Sequence, residues 1–245
     1  MAPATIQKLA SIVLTRLPVA KAADSALLSS SAACEYVPGQ GPPAEGSACA
    51  APVDTEAPQS ADQVAALKDC ERVQAGSLWA AQPALCLVVR RPGCQLCREE
   101  AVDILKHEAT LKKQGIKLFA VTHELLGSDE FQRDFWAGNE LFIDENKDFF
   151  KAAASHGGYN GEELHSVNTV LGFFDLGIWP NVFRSSRKGV KGNFVGNGNI
   201  LGGLFVVDKD HIEYAYHEKR WGDHAPIEDV LKACEKVSAT ASTKY

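Results

Sequence analysis

Leu85-Cys86-Leu87-Val88-Val89-Arg90-Arg91-Pro92-Gly93-Cys94-Gln95-Leu96-Cys97-Arg98-Glu99-Glu100-Ala101 reads as a buried strand, a Pro-Gly corner and the first turn of a helix, with two cysteines at i and i+3 across the junction. Residues 85–89 are apolar and β-favouring, as a central parallel strand requires. Pro92 and Gly93 end the run. Beyond the corner, Ala101, Ile104 and Leu111, with Val102, Leu105 and Ala109, recur at helical spacing. Lys112, Lys113 and Gly115 close that helix with positive charge and a residue that tolerates positive φ.

Working outward, residues 116–122 form a second strand, so strand, helix and strand make a right-handed parallel crossover. In such sheets the working groups lie at the carboxyl ends of the strands, which is where Cys94 falls. Upstream, residues 64–70 read as a short helix, 71–74 as an edge strand and 77–79 as a turn packed on the sheet. Downstream come a helix over 128–136 capped by Ser128, a strand at 141–143 and a helix over 144–154. Leu164, Val167, Leu171, Phe174 and Ile178 lie on one stripe that Pro180 ends, an insertion covering the site. The glycine-rich run 189–199 fits neither G-x-x-x-x-G-K-[ST] nor a strand–G-x-G-x-x-G–helix. It reads instead as a loop close over the site, with Gly202 and Gly203 permitting near backbone approach. Residues 204–207 and 211–217 pair as a hairpin. Pro226 opens a last helix with Ile227, Val230, Leu231, Cys234 and Val237 on its inner face. The outline is α/β, a thioredoxin-like fold with a mixed central sheet flanked by helices.

The chain has 245 residues, 45% hydrophobic, with a net charge of −6. That balance gives no support for nucleic-acid binding. No apolar run of 18 residues exists, so no membrane span is expected. Seven cysteines with no N-x-[ST] acceptor point to a reducing compartment, the cytoplasm. Residues 1–23 carry Lys8, Arg16 and Lys21 but no acid, with Ile6, Leu9, Val13, Leu14 and Leu17 at helical spacing. This reads equally as a transit segment for a plastid or mitochondrion and as a non-targeting helix. Residues 1–60 are assigned to a disordered tail and linker, 61–238 to the domain and 239–245 to a C-terminal tail.

The CxxC carries the chemistry. A free thiol titrates near ~8.5, and a helix N-terminus with Arg90, Arg91 and Arg98 nearby favours the thiolate. One turn separates the sulfurs, so they can close a bridge. Cys94, at the more exposed cap position, is the expected attacker and Cys97 the resolver, with Arg91 and Arg98 as thiolate-stabilising candidates. A structural zinc would need a second ligand pair, whereas Cys34, Cys49, Cys70, Cys86 and Cys234 are scattered singly. No metal or bound cofactor is expected. Cys86 and Cys234 suit core positions, and Glu99 and Glu100 suit helix-dipole partners. His123, at a strand end, reads as solvated, with a proton carrier as the alternative.

The run 90–101 closely resembles the redox motif of the peroxiredoxin-like 2 family, which includes selenoprotein U and prostamide/prostaglandin F synthase, within the alkyl hydroperoxide reductase / thiol-specific antioxidant superfamily. Residues 192–207 look most like its 2A branch, and Trp221-Gly222-Asp223 and residues 229–233 are also similar. The resemblance implies that Cys94 attacks a peroxide, endoperoxide or disulfide and Cys97 resolves it. It further implies an antioxidant role with electrons from thioredoxin or glutathione, hence from NADPH indirectly. Authentic peroxiredoxins differ in two ways: no Ser or Thr stands three residues before Cys94, and Gly202 occupies the place of their arginine. Arg91 and Arg98 are the candidates to take over. The competing expectation is a non-enzymatic redox sensor or scaffold on the same fold.

Overall fold

A computed structural model describes residues 3–19, 65, 67–157, 166, 177–193 and 196–242. The strands are β1 (Val13–Arg16), β2 (Arg72–Gln74), β3 (Ala84–Val89), β4 (Lys117–Thr122), β5 (Glu140–Ile143), β6 (Gly203–Asp208) and β7 (His211–His217). The helices are α1 (Pro3–Ala10), α2 (Gln95–Leu105), α3 (Glu108–Lys113), α4 (Ser128–Glu130, running into a π-helical turn over Phe131–Phe135), α5 (Asp148–His156), α6 (Trp179–Arg187) and α7 (Ile227–Ser242).

One seven-stranded sheet runs in the order β2-β1-β5-β4-β3-β6-β7. β3 is parallel to β4, and β4 to β5, whereas β6 joins β3 antiparallel and turns back into β7. This is the mixed, thioredoxin-like sheet expected. All six residues of β3 are buried because both faces are covered. Side chains alternate across a strand, so Leu85, Leu87 and Val89 enter one core with Ile104 of α2 and Val230, Cys234 and Val237 of α7. Ala84, Cys86 and Val88 enter the opposite core with Ile6 and Leu9 of α1 and Phe149 and Phe150 of α5. Gly115, at φ +72°, follows α3 as the helix stop. The helix breaks once earlier, at Lys106 and His107, into α2 and α3.

Five expectations need correction. Residues 3–17 are not outside the domain: α1 packs on the sheet and β1 pairs antiparallel with both β2 and β5, Thr15 opposite Arg72 and Ile143. The apolar residues that read as one amphipathic helix are divided at Ser11 into a helix and a strand, and Ile6, Leu9, Leu14 and Leu17 are all buried. Pro180 does not terminate a helix but stands in the first turn of α6, where its missing N–H costs nothing. Ser128 is not the cap of α4; Gly127, at φ +76°, is. The C-terminal boundary also moves, because α7 continues through Ser242. The proposed linker over 24–60 and Leu164, Val167, Leu171 and Phe174 of the stripe lie outside the described residues.

Candidate functional site

The site is built where β3 stops. Arg90 and Arg91 follow the strand, Pro92 and Gly93 turn the chain, and Cys94 is the N-cap residue of α2 in an extended conformation. That is the predicted placement, yet no side-chain capping bond runs from Cys94 to the helix N–H groups. Nor is its sulfur notably open: Cys94 is 6% exposed and Cys97 4%. Both are free thiols, as are Cys70, Cys86 and Cys234 among the described residues.

Specific side-chain partners hold most of the Cys94 charge, and the helix N-terminus adds to them through the Cys97 backbone N–H. The Cys97 thiol hydrogen-bonds to Cys94, the largest influence, and with the positive charges of Arg90 and Arg91 it carries the Cys94 thiol well below its ordinary range despite burial. Cys97 moves the other way, because its S–H is engaged by Cys94 and it is itself desolvated. The two sulfurs are thus pushed apart, Cys94 toward the thiolate and Cys97 toward the thiol, the arrangement an attacking and a resolving sulfur require.

Arg90 is the contact residue. Its Nη2 donates to the Cys94 sulfur at 2.7 Å and its Nη1 to the Gly198 carbonyl at 3.1 Å. The guanidinium also stands 5.4 Å from the Trp221 ring centroid. Arg91 contributes charge but aims elsewhere, donating from Nη2 to the Asn193 carbonyl at 2.7 Å. Arg98, expected near the thiolate, is not there. Its fork is occupied by Glu130 at 3.1 and 2.5 Å, and it donates further to the carbonyls of Pro92 and Lys191. Its charge is neutralised by Glu130, so it fastens the corner and α4 instead. Arg90 does not stand out in the sequence as the key donor because three arginines lie within nine residues. The signal that could have singled it out is its place at the strand terminus, one helical turn ahead of Cys94.

The glycine-rich loop does pass over the cysteines. Asn193 N–H donates to the Gly93 carbonyl at 2.8 Å, and a Cβ at Gly192 would collide with the Gln95 backbone. Gly202 likewise has no room, since its Cβ would meet the Val88 carbonyl oxygen. On the other side α6 packs on α2, with Gln95 Nε2 donating to Ser186 Oγ at 2.9 Å.

Glu99 and Glu100, expected as helix-dipole partners, are buried and specifically paired. Glu99 is fully buried and held by Arg184 and Lys188, each at 2.8 Å. Glu100 is 7% exposed and faces Glu218, which is 2% exposed. One oxygen from each and a ring nitrogen of His224 lie within 4.8 Å of one another. Arg184 Nη2 sits 3.1 Å from His224 Nδ1 and must donate to it, so that lone pair is engaged and a cation stands against the cluster. The other ring nitrogen, Nε2, is buried with no hydrogen-bond partner among the described residues, and a proton held between Glu100 and Glu218 balances the two close carboxylates. His123 is buried rather than solvated, edge-on to Phe150 at 5.1 Å, and Cys86 and Cys234 occupy the core as expected.

Among the described residues no helix is long and apolar enough to cross a membrane. A family model described as AhpC/TSA antioxidant enzyme matches residues 104–220, a span that begins just after the CxxC. Among solved structures, peroxiredoxin Q of Xanthomonas campestris is 12% identical with a TM-score of 0.46, covering 69% of this chain and 87% of that one. Among curated proteins, peroxiredoxin-like 2A of Bos taurus is 37% identical over 71% of this chain and 76% of its own length. The Homo sapiens protein of that name is 36% identical over 69% and 70%. With relatives this similar over most of their length, the chain belongs to the peroxiredoxin-like 2A family of AhpC/TSA-type proteins.

Proposed function

We propose that this is a thiol-dependent oxidoreductase in which the Cys94 thiolate attacks the O–O bond of a small peroxide or endoperoxide, and Cys97 then displaces the oxygen left on Cys94, as water from a hydroperoxide or as the second alcohol from an endoperoxide, to close a Cys94–Cys97 bridge. The observation that carries this reading is the Arg90 guanidinium 2.7 Å from a Cys94 sulfur that also accepts the Cys97 S–H. Arg90 fills the role that Arg91 and Arg98 were expected to share, and it offers a donor beside the attacking sulfur where charge builds on the leaving oxygen. Burial of both sulfurs favours a small oxidant over a protein disulfide as the first substrate. A thioredoxin- or glutathione-type reductant regenerates the dithiol, in a reducing compartment such as the cytoplasm, with no bound cofactor.

The same burial favours a second reading, a sensor that oxidises once and signals through a changed surface. The two part on turnover. Peroxide-dependent NADPH consumption coupled through thioredoxin and its reductase is expected to exceed one equivalent per chain and to vanish in Cys94→Ser. Consumption that stops at one equivalent supports the sensor. Consumption unaffected by Cys94→Ser refutes Cys94 as the attacking thiol.

A further inference from the structure

Arg90 is a buried cation whose partner changes with the redox state. In the dithiol form the Cys94 thiolate neutralises it at 2.7 Å. Once the bridge forms that negative charge is gone, and a buried guanidinium without a counter-ion is costly. The described residues place another acid in range. Glu218, just after β7, sits beneath the Gly202 backbone, whose N–H donates to its Oε2 at 2.8 Å, and its carboxyl interacts electrostatically with Arg90, Cys94 and Cys97. Across from it on α2 is Glu100, which accepts the Ala225 N–H at 3.3 Å. Two carboxylates this close and this buried do not both ionise readily.

We propose that Glu218, backed by Glu100, holds one proton while Cys94 is a thiolate and gives it up when the Cys94–Cys97 bridge forms, so that its carboxylate replaces the thiolate as the counter-ion of Arg90. The inference rests on the thiol reading above and adds a positioning residue to it. Thiolate, thiol, carboxylic acid and ROOH become disulfide, carboxylate, ROH and water. The two sulfurs lose two electrons, the O–O bond gains them, and the Glu218 proton meets the need of the departing alkoxide. On reduction by a dithiol, both protons of the reductant stay on the protein, one on Cys97 and one on the carboxyl pair.

The surroundings agree. Glu218 is raised to about 7, chiefly by desolvation, with Arg90 and the Gly202 N–H opposing and Cys94 and Asp223 adding to the rise. Glu100 is raised well above the carboxylate range by desolvation and Glu218, against the Ala225 N–H and Arg184, with Asp103 adding. His224 is held down at about 4 by burial and Arg184, so it contributes no positive charge near neutrality. Asp223 is already engaged by the Tyr216 hydroxyl and the Lys219 N–H.

The test equilibrates the full chain with dithiothreitol redox buffers from pH 6 to 7 and measures the fraction of bridged Cys94–Cys97 by mass tagging. Glu218→Gln keeps an oxygen for the Gly202 N–H but cannot carry the proton. Wild type is expected to change its equilibrium constant less than about threefold over that unit, because no proton is released. Glu218→Gln is expected to favour reduction about tenfold more per pH unit, the signature of one proton lost. Equal slopes in the two proteins overturn the inference while leaving the thiol reading standing. Absence of any Cys94–Cys97 bridge overturns both. If Glu218→Gln fails to fold, the infrared difference spectrum of wild type decides. A carboxylic-acid carbonyl band lost on oxidation, and unchanged in Cys94→Ser, supports the proton release, and its persistence refutes it.

Discussion

Replacing Arg90 with methionine keeps an unbranched stem but removes the donor 2.7 Å from Cys94. A hydrogen bond to a charged group contributes about 1.5–3 kcal/mol. At about 1.4 kcal/mol per factor of ten, the thiolate fraction on the acidic limb of its titration should fall about ten- to hundredfold. The upper part of that range applies because the sulfur is buried and water cannot substitute for the guanidinium. The assay is the rate of Cys94 alkylation by iodoacetamide between pH 4.5 and 9, with peptide mapping to separate it from Cys97. The acidic limb should move to higher pH in Arg90→Met, move less in Arg91→Met, which removes charge without a contact, and stay in place in Arg98→Met, whose charge belongs to Glu130. An Arg90→Met profile within about threefold of wild type, or an equal displacement in Arg98→Met, would refute the assignment of Arg90.

Three further outcomes are expected. Cys97→Ala removes the S–H that Cys94 accepts, so alkylation of Cys94 should slow on the acidic limb, and a sulfenic acid trapped by dimedone should accumulate after one equivalent of peroxide. Leu14→Ala opens a cavity beneath a fully buried position of β1 and should cost about 2–5 kcal/mol in urea unfolding; a cost under about 1 kcal/mol would mean the strand is dispensable. Burial raises Glu124 to about 7, against the Asn197 N–H and the charges of Arg91 and Arg90. A raised carboxyl stabilises the fold fully below its unfolded value near ~4.3 and loses that contribution as pH rises through about 7. Glu124→Gln should therefore gain on wild type between pH 5 and 8, and a constant difference in urea midpoint would contradict this.

The β3–α2 unit was legible because two unambiguous periods, a β-rich apolar run and a 3.6-residue repeat, meet at a Pro-Gly corner and fix where the cysteines must sit. The hairpin and α7 were legible for the same reason. Which arginine reaches the sulfur was harder, because Arg90, Arg91 and Arg98 all lie close to the cysteines in sequence; the place of Arg90 at the end of the strand is the one local signal, and Glu130, Asn193 and Gly198, which complete the sorting, arrive from far along the chain. Residues 3–17 misled because a short helix followed by a short strand can imitate one amphipathic helix, and β1 is identified only by its pairing with β2 and β5. Glu100 reads from sequence only as a helix-dipole partner, since its neighbour Glu218 lies more than a hundred residues later, just after β7. Pro180 was read as a stop, although in the first turn of a helix the same residue marks a start.

The position of β1 also sets the order in which the chain can be completed during translation. Its partner in β5, with Arg16 opposite Phe142, is synthesised more than a hundred residues later. At about 5–20 residues per second, that leaves roughly 6 to 25 s in which β1 has at most β2 beside it and no place in the main sheet. Closing so distant a pairing is slow even in the released chain. Nascent chains of this protein therefore present an unsatisfied strand to chaperones until β5 emerges, and a bulky fusion placed directly before α1 would be felt at that closing step.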